Sequence, residues 1–363
     1  MVPETTLVAP LVQSGFSACK LLFCCWGSGE RDSRSVAHPG WNIADFLHIM
    51  RSIFPRIVPD ERQKMICAKT NPRRKNSLLI SLYRWGAVVI ITLLWVRRQQ
   101  ANAYLERGWQ FFRTNWLFQH DSFEPFLSAA SFFFFVGFWG FLDFFVPSAS
   151  KHRTFPSDDL SSWFGGTRIR DQALWYILPL VTLDLLFPRR QLPESPPSLA
   201  RLVLEVVGAI AVYDIAFFAW HCTVHSYPAL YRRVHAVHHR CHVQRAPEAV
   251  RHTFLDGTMD VVCSVFALNV LGCHPLSRAV YDVVVIGLIT ELHAGYDFPW
   301  QLHNLVPFGL FGGAPRHERH HRNGRVYMQK FGTYLDAAFG FVPHEAEKPW
   351  RKNRVDVAIL QQQ

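Results

Sequence analysis

The chain has 363 residues, 49% of them hydrophobic, and a formal net charge of +10. This length suits one large domain or two small ones. In a soluble protein such a charge would suggest nucleic-acid binding, but the basic residues here flank apolar runs, and no DNA- or RNA-reading motif with interleaved aromatic residues is present. The composition therefore excludes nucleic acid as a partner and favours a membrane protein whose basic residues mark cytosolic helix ends.

The first 76 residues carry little interpretable pattern. Residues 7–26 are mildly apolar but lack a basic start and a clear cleavage site, so they do not predict a signal peptide. Residues 27–76 are polar and basic and contain four prolines. We expect residues 1–76 to be a poorly defined N-terminal extension, in which residues 27–76 form a mobile or loosely folded cytosolic segment.

Four apolar stretches are candidates for transmembrane helices, since most approach the length that spans a hydrocarbon core. They are residues 78–96, 126–146, 173–187 and 202–220. The first is interrupted by Arg84, and its alternative is an amphipathic helix at the membrane interface. The second contains four consecutive Phe and a single charge, Asp143, which we expect to face protein or water rather than lipid.

Two further apolar runs, residues 259–270 and 280–292, are short of a full span. They predict a re-entrant pair or tilted helices that bring the last third of the chain back to residues 220–240. Residues 330–342 predict a final amphipathic stretch, and residues 346–363 predict a polar tail.

Histidine is concentrated in three clusters. Residues three or four apart on a helix share a face, so we expect the members of each cluster to point the same way. The doubled HxxHH spacing is improbable by chance, and eight imidazoles exceed the four ligands of a tetrahedral zinc, so they suit two metals side by side. No CxxC spacing accompanies them, which argues against a zinc finger or an iron–sulfur cluster. The clusters are His221 and His225; His235, His238 and His239; and His317, His320 and His321.

Two more histidines, His293 and His303, are candidate metal ligands, because Gly295 and Pro299 predict a turn that carries both toward the third cluster. For His303 the alternative is a partner of a phosphate or a carboxylate. His274, beside Pro275, is predicted to be a loop or interfacial residue.

Carboxylates that could orient a ligand imidazole from behind are also present. Asp214 lies seven residues before His221, two turns back on the same helix face, and its alternative is a helix-packing contact. The other candidates are Glu248, Asp256 and Asp297. Together these patterns predict an all-α integral membrane protein with about four transmembrane helices and a cytosolic, histidine-rich di-metal cap.

The three histidine clusters resemble those of the fatty acid hydroxylase / sterol desaturase superfamily of integral membrane enzymes. The resemblance covers residues 120–345, is strongest over 205–325 and is absent before about 110. It extends to the motifs that surround the clusters, and two of these are similar to the sterol side-chain hydroxylase branch. The motifs are residues 217–221 (FFAWH), 271–275 (LGCHP), 293–300 (HAGYDFPW) and 305–309 (LVPFG).

This resemblance implies a non-haem di-iron centre of two Fe ions with the eight clustered histidines as catalytic ligands. His293 and His303 are added as candidate metal ligands on the ground of the turn that carries them. It implies O2 as oxidant, electrons from NAD(P)H delivered by cytochrome b5 or a reductase as electron-donor protein, and an endoplasmic reticulum membrane. Residues 77–200 would form membrane-spanning helices and residues 201–345 the catalytic domain. An unactivated C–H bond needs an oxidant that a metal supplies and no side chain can.

The expected activity is hydroxylation of a sterol, a terpenoid or a fatty acyl chain. A desaturase using the same site is the alternative within this chemistry. A non-catalytic metal-binding membrane protein is the alternative from another class, although transporters usually place ionisable groups within their spans rather than at helix ends. The long N-terminal extension and the Arg-Glu-Arg setting of the third cluster depart from the family pattern and leave the substrate open.

Overall fold

A computed structural model describes residues 77–154, 163, 169–186, 192–240 and 244–342. The predictions for residues 1–76 and for the tail after residue 345 lie outside these ranges. Within the described ranges the regular structure is helical apart from two isolated backbone bridges, which confirms the all-α prediction.

The helices are numbered in chain order over the described residues. The first half of the chain contains α1 (Ser77–Val96), α2 (Arg98–Thr114), α3 (Trp116–Gln119), α4 (Phe123–Phe145), α5 (Ile169–Leu186) and α6 (Leu199–Ser226). The second half contains α7 (Pro228–Leu230), α8 (Phe254–Val270), α9 (Pro275–His293), α10 (Leu302–Leu305), α11 (Gly313–Asn323) and α12 (Tyr334–Phe339).

Three of these helices, α1, α4 and α6, are long and apolar enough to cross a membrane. They match three of the four predicted spans. The apolar part of α5, Leu174–Leu186, is shorter than a span, so the fourth predicted crossing remains a prediction. No residue of α1 is buried, and apolar side chains cover all of its faces, which fits lipid contact better than an amphipathic helix at the interface.

The core that supports the histidines forms where α6, α8 and α9 pack together. Tyr213 from α6, Leu268 from α8 and Leu292 from α9 belong to one buried apolar cluster. Helix α4 packs across α9 at Gly287, where an added Cβ would lie only 2.9 Å from the Phe135 ring. Helices α8 and α9, joined by a short turn and here called the α8–α9 hairpin, contain the two short apolar runs 259–270 and 280–292, and each helix is longer than its run.

His274 ends the turn of that hairpin. Its Nδ1 atom accepts a hydrogen bond from the backbone N–H of Leu276 at 3.0 Å and so caps the start of α9. This is the loop role that the sequence predicted. The hairpin returns the chain so that His293, at the end of α9, lies beside the earlier histidines.

Asp143, the single charge of the second predicted span, faces protein as predicted. It accepts hydrogen bonds from Tyr296 Oη and Trp163 Nε1, each at 2.7 Å. It also pairs with Arg153, and with Arg245 at 3.4 Å. These contacts fasten the end of α4 to the segment that follows His293.

Two sequence predictions differ from the observed elements. Of the predicted amphipathic stretch 330–342, only Tyr334–Phe339 is helical, because the backbone N–H groups of Phe331 and Gly332 donate to Asp214 rather than to helix carbonyls. The predicted domain boundary after residue 200 falls in the first turn of α6. The division of the chain into domains remains a prediction.

Candidate metal centre

Nine buried or partly buried histidines converge on two neighbouring sites, five in one group and four in the other. Within each group the imidazole nitrogens lie within 4.8 Å of one another. The nine are the eight clustered histidines together with His293. Group A contains His221, His225, His235, His239 and His320, and group B contains His238, His293, His317 and His321.

The second and third clusters each divide between the groups, so the expectation that all members of a cluster point one way is wrong for these two. His238 lies in group B and its neighbours in group A, and the chain here leaves the α-helix through a π-turn at Tyr231–His235 and a 3-10 turn at His238–Arg240. His320 lies in group A, whereas His317 and His321 lie in group B, because α11 passes between the two groups. Each HxxHH triplet therefore contributes to both sites.

Most of these rings direct Nδ1 outward, toward an acceptor in the surrounding chain. A backbone carbonyl only accepts, so an Nδ1 that faces one carries the ring proton and leaves the Nε2 lone pair directed inward. The contacts are His221 Nδ1 to Met328 O at 2.6 Å, His293 Nδ1 to Ile289 O at 2.8 Å, His320 Nδ1 to Val326 O at 2.8 Å, His238 Nδ1 to Arg251 O at 3.2 Å and His239 Nδ1 to His321 O at 3.3 Å.

The inward Nε2 atoms face one another at contact distance. The separation is 3.1 Å between His221 and His235 and 3.5 Å between His238 and His293. Two lone pairs at this distance repel unless a cation lies between them. This arrangement fits bound metal ions. Other buried Nε2 atoms have no hydrogen-bond partner among the described residues, namely those of His225, His239 and His320.

Burial keeps the imidazoles neutral. It lowers the pKa of His239 to about 3, and repulsion from His235 adds to this effect. Burial likewise places the pKa values of His317, His320 and His321 well below the usual range of histidine. Neutral imidazole is the form that binds a metal, so these rings are ready to act as ligands at cellular pH.

Asp256 lies behind group A, in the outer position that the sequence suggested. Its Oδ2 accepts hydrogen bonds from His235 Nδ1 at 2.7 Å and from His252 Nδ1 at 2.9 Å, and its Oδ1 accepts from Trp220 Nε1 at 3.0 Å. Sequence reasoning missed His252. The only signal was its position four residues before Asp256, and that is weak because Thr253 caps α8 between them.

Asp214 does not contact a histidine. It accepts from the backbone N–H groups of Phe331 and Gly332, each at 2.8 Å, and from the Gln329 side chain at 2.7 Å. The alternative role, a packing contact, is therefore the one observed. Glu248 accepts a hydrogen bond from the Arg251 side chain at 2.8 Å. It therefore positions Arg251, whose backbone carbonyl accepts a hydrogen bond from His238 Nδ1.

His303 lies outside both groups. Its Nε2 is 2.8 Å from Asp297 Oδ1, which matches the alternative of a carboxylate partner. Its ring packs directly against Gly313, where an added Cβ would overlap it. Its predicted role as a ligand finds no support in this position, whereas His293 is brought into group B.

An apolar cavity adjoins the histidines. It encloses about 800 Å³ of space, including its open mouth, between α4, α5, α8 and α9. Ala249 and Ile289 line both this cavity and the small pocket among the histidine rings. A long apolar molecule in the cavity would therefore have one end beside the Nε2 atoms.

A buried polar network lies between the apolar cavity and the histidine pocket. Lys330 lines the histidine pocket, and its ammonium lies 2.6 Å from Tyr213 Oη and 2.8 Å from Asp260 Oδ1. Asp260 also accepts from Tyr213 and, at 3.1 Å, from Tyr176 Oη. Nothing in the local sequence around Lys330 indicated this position, because its partners lie on two helices distant in the sequence, α6 and α8.

Comparison with known proteins places this arrangement in a family. The fatty acid hydroxylase family matches residues 206–341, which include all nine histidines of the two groups. The chain is 32% identical over 254 residues to cholesterol 25-hydroxylase-like protein 2 of Danio rerio, covering 64% of this chain and 86% of the relative. The chain belongs to the fatty acid hydroxylase family, and the resemblance stated from its motifs is confirmed.

Mammalian relatives match a shorter stretch. Cholesterol 25-hydroxylase of Mus musculus is 34% identical over 169 residues, and that of Homo sapiens is 34% identical over 173 residues. Each alignment covers 47% of this chain, and the chain spans 57% of the mouse protein and 62% of the human one. No solved structure gives a significant match to the chain.

Proposed function

We propose that this protein is a membrane-bound oxygenase that hydroxylates a lipid at a centre of two iron ions. The observation that carries the proposal is the set of inward Nε2 lone pairs, which face one another in two adjacent groups and fit two cations. The family match and the adjoining apolar cavity support a lipid substrate. The relatives named for cholesterol favour a sterol over a terpenoid or a fatty acyl chain.

Each group would hold one ion, with group A supplying five imidazoles and group B four. Bound iron would supply the activation of O2 and the one-electron chemistry that no side chain provides. The chain's own residues bind the substrate and orient the imidazoles. Backbone carbonyls and Asp256 hold the ring protons on Nδ1, so that Nε2 remains available. Buried apolar walls keep water away from the reacting carbon.

The substrate would enter the apolar cavity from the membrane, because the cavity lies among helices that include the candidate span α4. The carbon to be hydroxylated would lie near Ala249 and Ile289, where the cavity meets the histidine pocket. We further propose that α5 completes four spans in the endoplasmic reticulum membrane. In this arrangement the metal centre faces the cytosol, where cytochrome b5 or a reductase delivers electrons from NAD(P)H.

The test is a lipid profile. The chain is expressed in yeast membranes supplied with sterols and fatty acids, and extracts are compared by mass spectrometry with those of His238→Ala. We expect a product heavier by one oxygen that is lost in the variant. A product lighter by two hydrogens would make the protein a desaturase instead. No product, together with two metal ions bound to purified wild-type protein, would indicate a non-catalytic metal protein.

A further inference from the structure

A loop with an exposed apolar surface lies between the start of α10 and α11. Residues 302–310 are here called the Phe308 loop. The Phe308 side chain is 92% exposed, and Leu302 and Leu310 are also exposed. A single exposed apolar residue is common on a protein surface. Three in one short loop, one of them an almost fully exposed aromatic ring, instead form an apolar surface that no described residue covers.

The backbone presents the Phe308 ring in an unfavourable conformation. Phe308 has φ 60° and ψ 12°, in the left-handed region that bulky side chains rarely adopt. Contacts on its C-terminal side hold the loop in place. The Thr333 hydroxyl donates to the Gly309 backbone oxygen at 2.8 Å, and the Gly312 N–H donates to the Phe331 carbonyl at 2.7 Å. Strained residues that are fixed in this way cluster at functional positions.

The other end of the Phe308 loop is fixed to the candidate span α1. Arg84 Nε donates to the Asn304 backbone oxygen at 2.9 Å. Arg84 lies seven residues after Ser77, and apolar residues precede and follow it in α1. At 1.5 Å per residue it is about 10 Å along the helix axis from Ser77. A span that begins near Ser77 therefore places the Asn304 carbonyl, within reach of a long Arg side chain, near the boundary between head groups and hydrocarbon.

The surroundings of the loop fit lipid better than a soluble protein. Helix α1, to which the loop is tied, has no buried residue and is open to lipid on all its faces. A cation lies behind the loop, since a Cβ added at Gly309 would be 3.3 Å from Nη2 of Arg316. Apolar side chains with an arginine behind them match a membrane interface, where apolar groups enter the acyl region and cations stay beside the phosphates.

We propose that the Phe308 loop enters the membrane leaflet on the side of the metal centre, with the Phe308 ring among the acyl chains just below the lipid phosphates. The expected depth is about 5–10 Å, as for other apolar segments that lie in the interface. The loop leads into α11, and its His303 ring packs against Gly313 at the start of that helix. The lipid contact would therefore fix the third histidine cluster relative to the bilayer. This inference does not depend on the reaction at the metal centre.

The experiment measures the depth of the loop in phosphatidylcholine nanodiscs that contain the full-length chain. In a cysteine-free background, Phe308→Cys, Leu310→Cys and the control Arg319→Cys, at an exposed position of α11, are labelled with nitrobenzoxadiazole. Three quenchers are compared: lipid with a spin label high on the acyl chain, lipid with a spin label near the chain end, and aqueous iodide. We expect the labels at 308 and 310 to lose most fluorescence with the first quencher. The label at 319 should lose fluorescence mainly with iodide.

A second change assigns the insertion to Phe308, with the label kept at Leu310→Cys. Adding Phe308→Asp places a charge in the loop, which disfavours the acyl region, so lipid quenching should fall and iodide quenching should rise. The matched control Phe308→Leu should retain lipid quenching.

Three results would overturn the proposal. Iodide quenching at 308 and 310 equal to that at 319 would place the loop in water. Protection from iodide without quenching by either lipid would show that protein covers the loop, from a second copy or from another part of this chain. Lipid quenching at 310 that Phe308→Asp leaves unchanged would show that the Phe308 ring does not hold the loop in the leaflet.

Discussion

At the residue scale, the candidate metal ligands depend on the acceptors behind them. Five of the rings direct Nδ1 to backbone carbonyls, which mutation of a side chain does not remove. His235 differs because its acceptor is the carboxylate of Asp256, which also receives His252 and Trp220. Asp256 is therefore the side chain through which the affinity of group A for metal can be altered without changing a ligand.

We predict that Asp256→Asn lowers the affinity for metal about 10- to 100-fold, the usual effect of removing a partner that orients a ligand imidazole. The amide lacks the negative charge and can accept from only one oxygen. Metal retained after dialysis against graded chelator concentrations measures the effect. Asp297→Asn is the matched control, because Asp297 contacts His303 rather than the two groups. Equal metal loss in the two variants would contradict the prediction.

A second pair of variants distinguishes the roles of His293 and His303, the two candidate ligands outside the three clusters. His293→Ala should reduce metal content from about two ions toward one, because His293 belongs to the four-membered group B. His303→Ala should retain both ions. Metal analysis of the purified proteins distinguishes them, and a loss in His303→Ala equal to that in His293→Ala would restore His303 as a candidate ligand.

Much of the candidate metal site could be predicted from spacing, because eight histidines at short separations have few structural explanations. The contacts of the carboxylates that could orient these histidines could not be predicted. Asp214 lies on the helix of His221 at a favourable spacing, yet its oxygens are taken by residues 329–332. Asp256 lies 21 residues from His235 and contacts it directly. Such roles depend on tertiary packing, which a local pattern does not contain.

At the scale of elements, α11 carries three of the nine histidines and is bounded by glycines in the left-handed region. Gly313 at its start has φ +63° and Gly324 after its end has φ +47°. The two positions differ in their surroundings. An added Cβ would overlap the His303 ring at Gly313, whereas at Gly324 the nearest atom, in His225, would be 3.6 Å away.

These surroundings predict different results for the same substitution. Ala at either position is unfavourable by about 1–2 kcal/mol, because a Cβ disfavours the left-handed region. Gly313→Ala should destabilise the protein more, since it must also displace His303 or the start of α11. We expect a larger fall in the apparent unfolding temperature and a larger loss of metal in Gly313→Ala. Equal changes in both variants would show that the contact with His303 has no energetic effect.

Element boundaries were predictable where apolar runs are long. The helices α1, α4 and α6 begin and end within a few residues of the predicted spans or extend them. The split of the second and third clusters was not predictable, because it depends on where tertiary packing places the two groups around each triplet. The second triplet lies on a π-turn and a 3-10 turn, whereas the third lies on the regular helix α11, and both divide between the groups.

At the scale of the whole molecule, the length of α6 relates the histidines to the membrane. Its 28 residues extend about 42 Å, whereas the hydrocarbon core of a bilayer is about 30 Å thick. His221 and His225 lie in the last two turns, so a span that begins near Leu199 places them beyond the hydrocarbon core. The opposite end of α6 is held by α2, whose Trp109 donates to the backbone oxygen of Pro193 at 3.0 Å.

This arrangement predicts that the two ends of the molecule lie on opposite sides of the membrane. Exposed positions on each side, Arg319 in α11 and Glu194 before α6, allow a test in a cysteine-free background. In sealed microsomes a membrane-impermeant maleimide should label Arg319→Cys, because the metal centre is proposed to face the cytosol. It should label Glu194→Cys only after detergent opens the vesicles. Labelling of Glu194→Cys alone in sealed vesicles would place the metal centre in the lumen, away from a cytosolic electron donor.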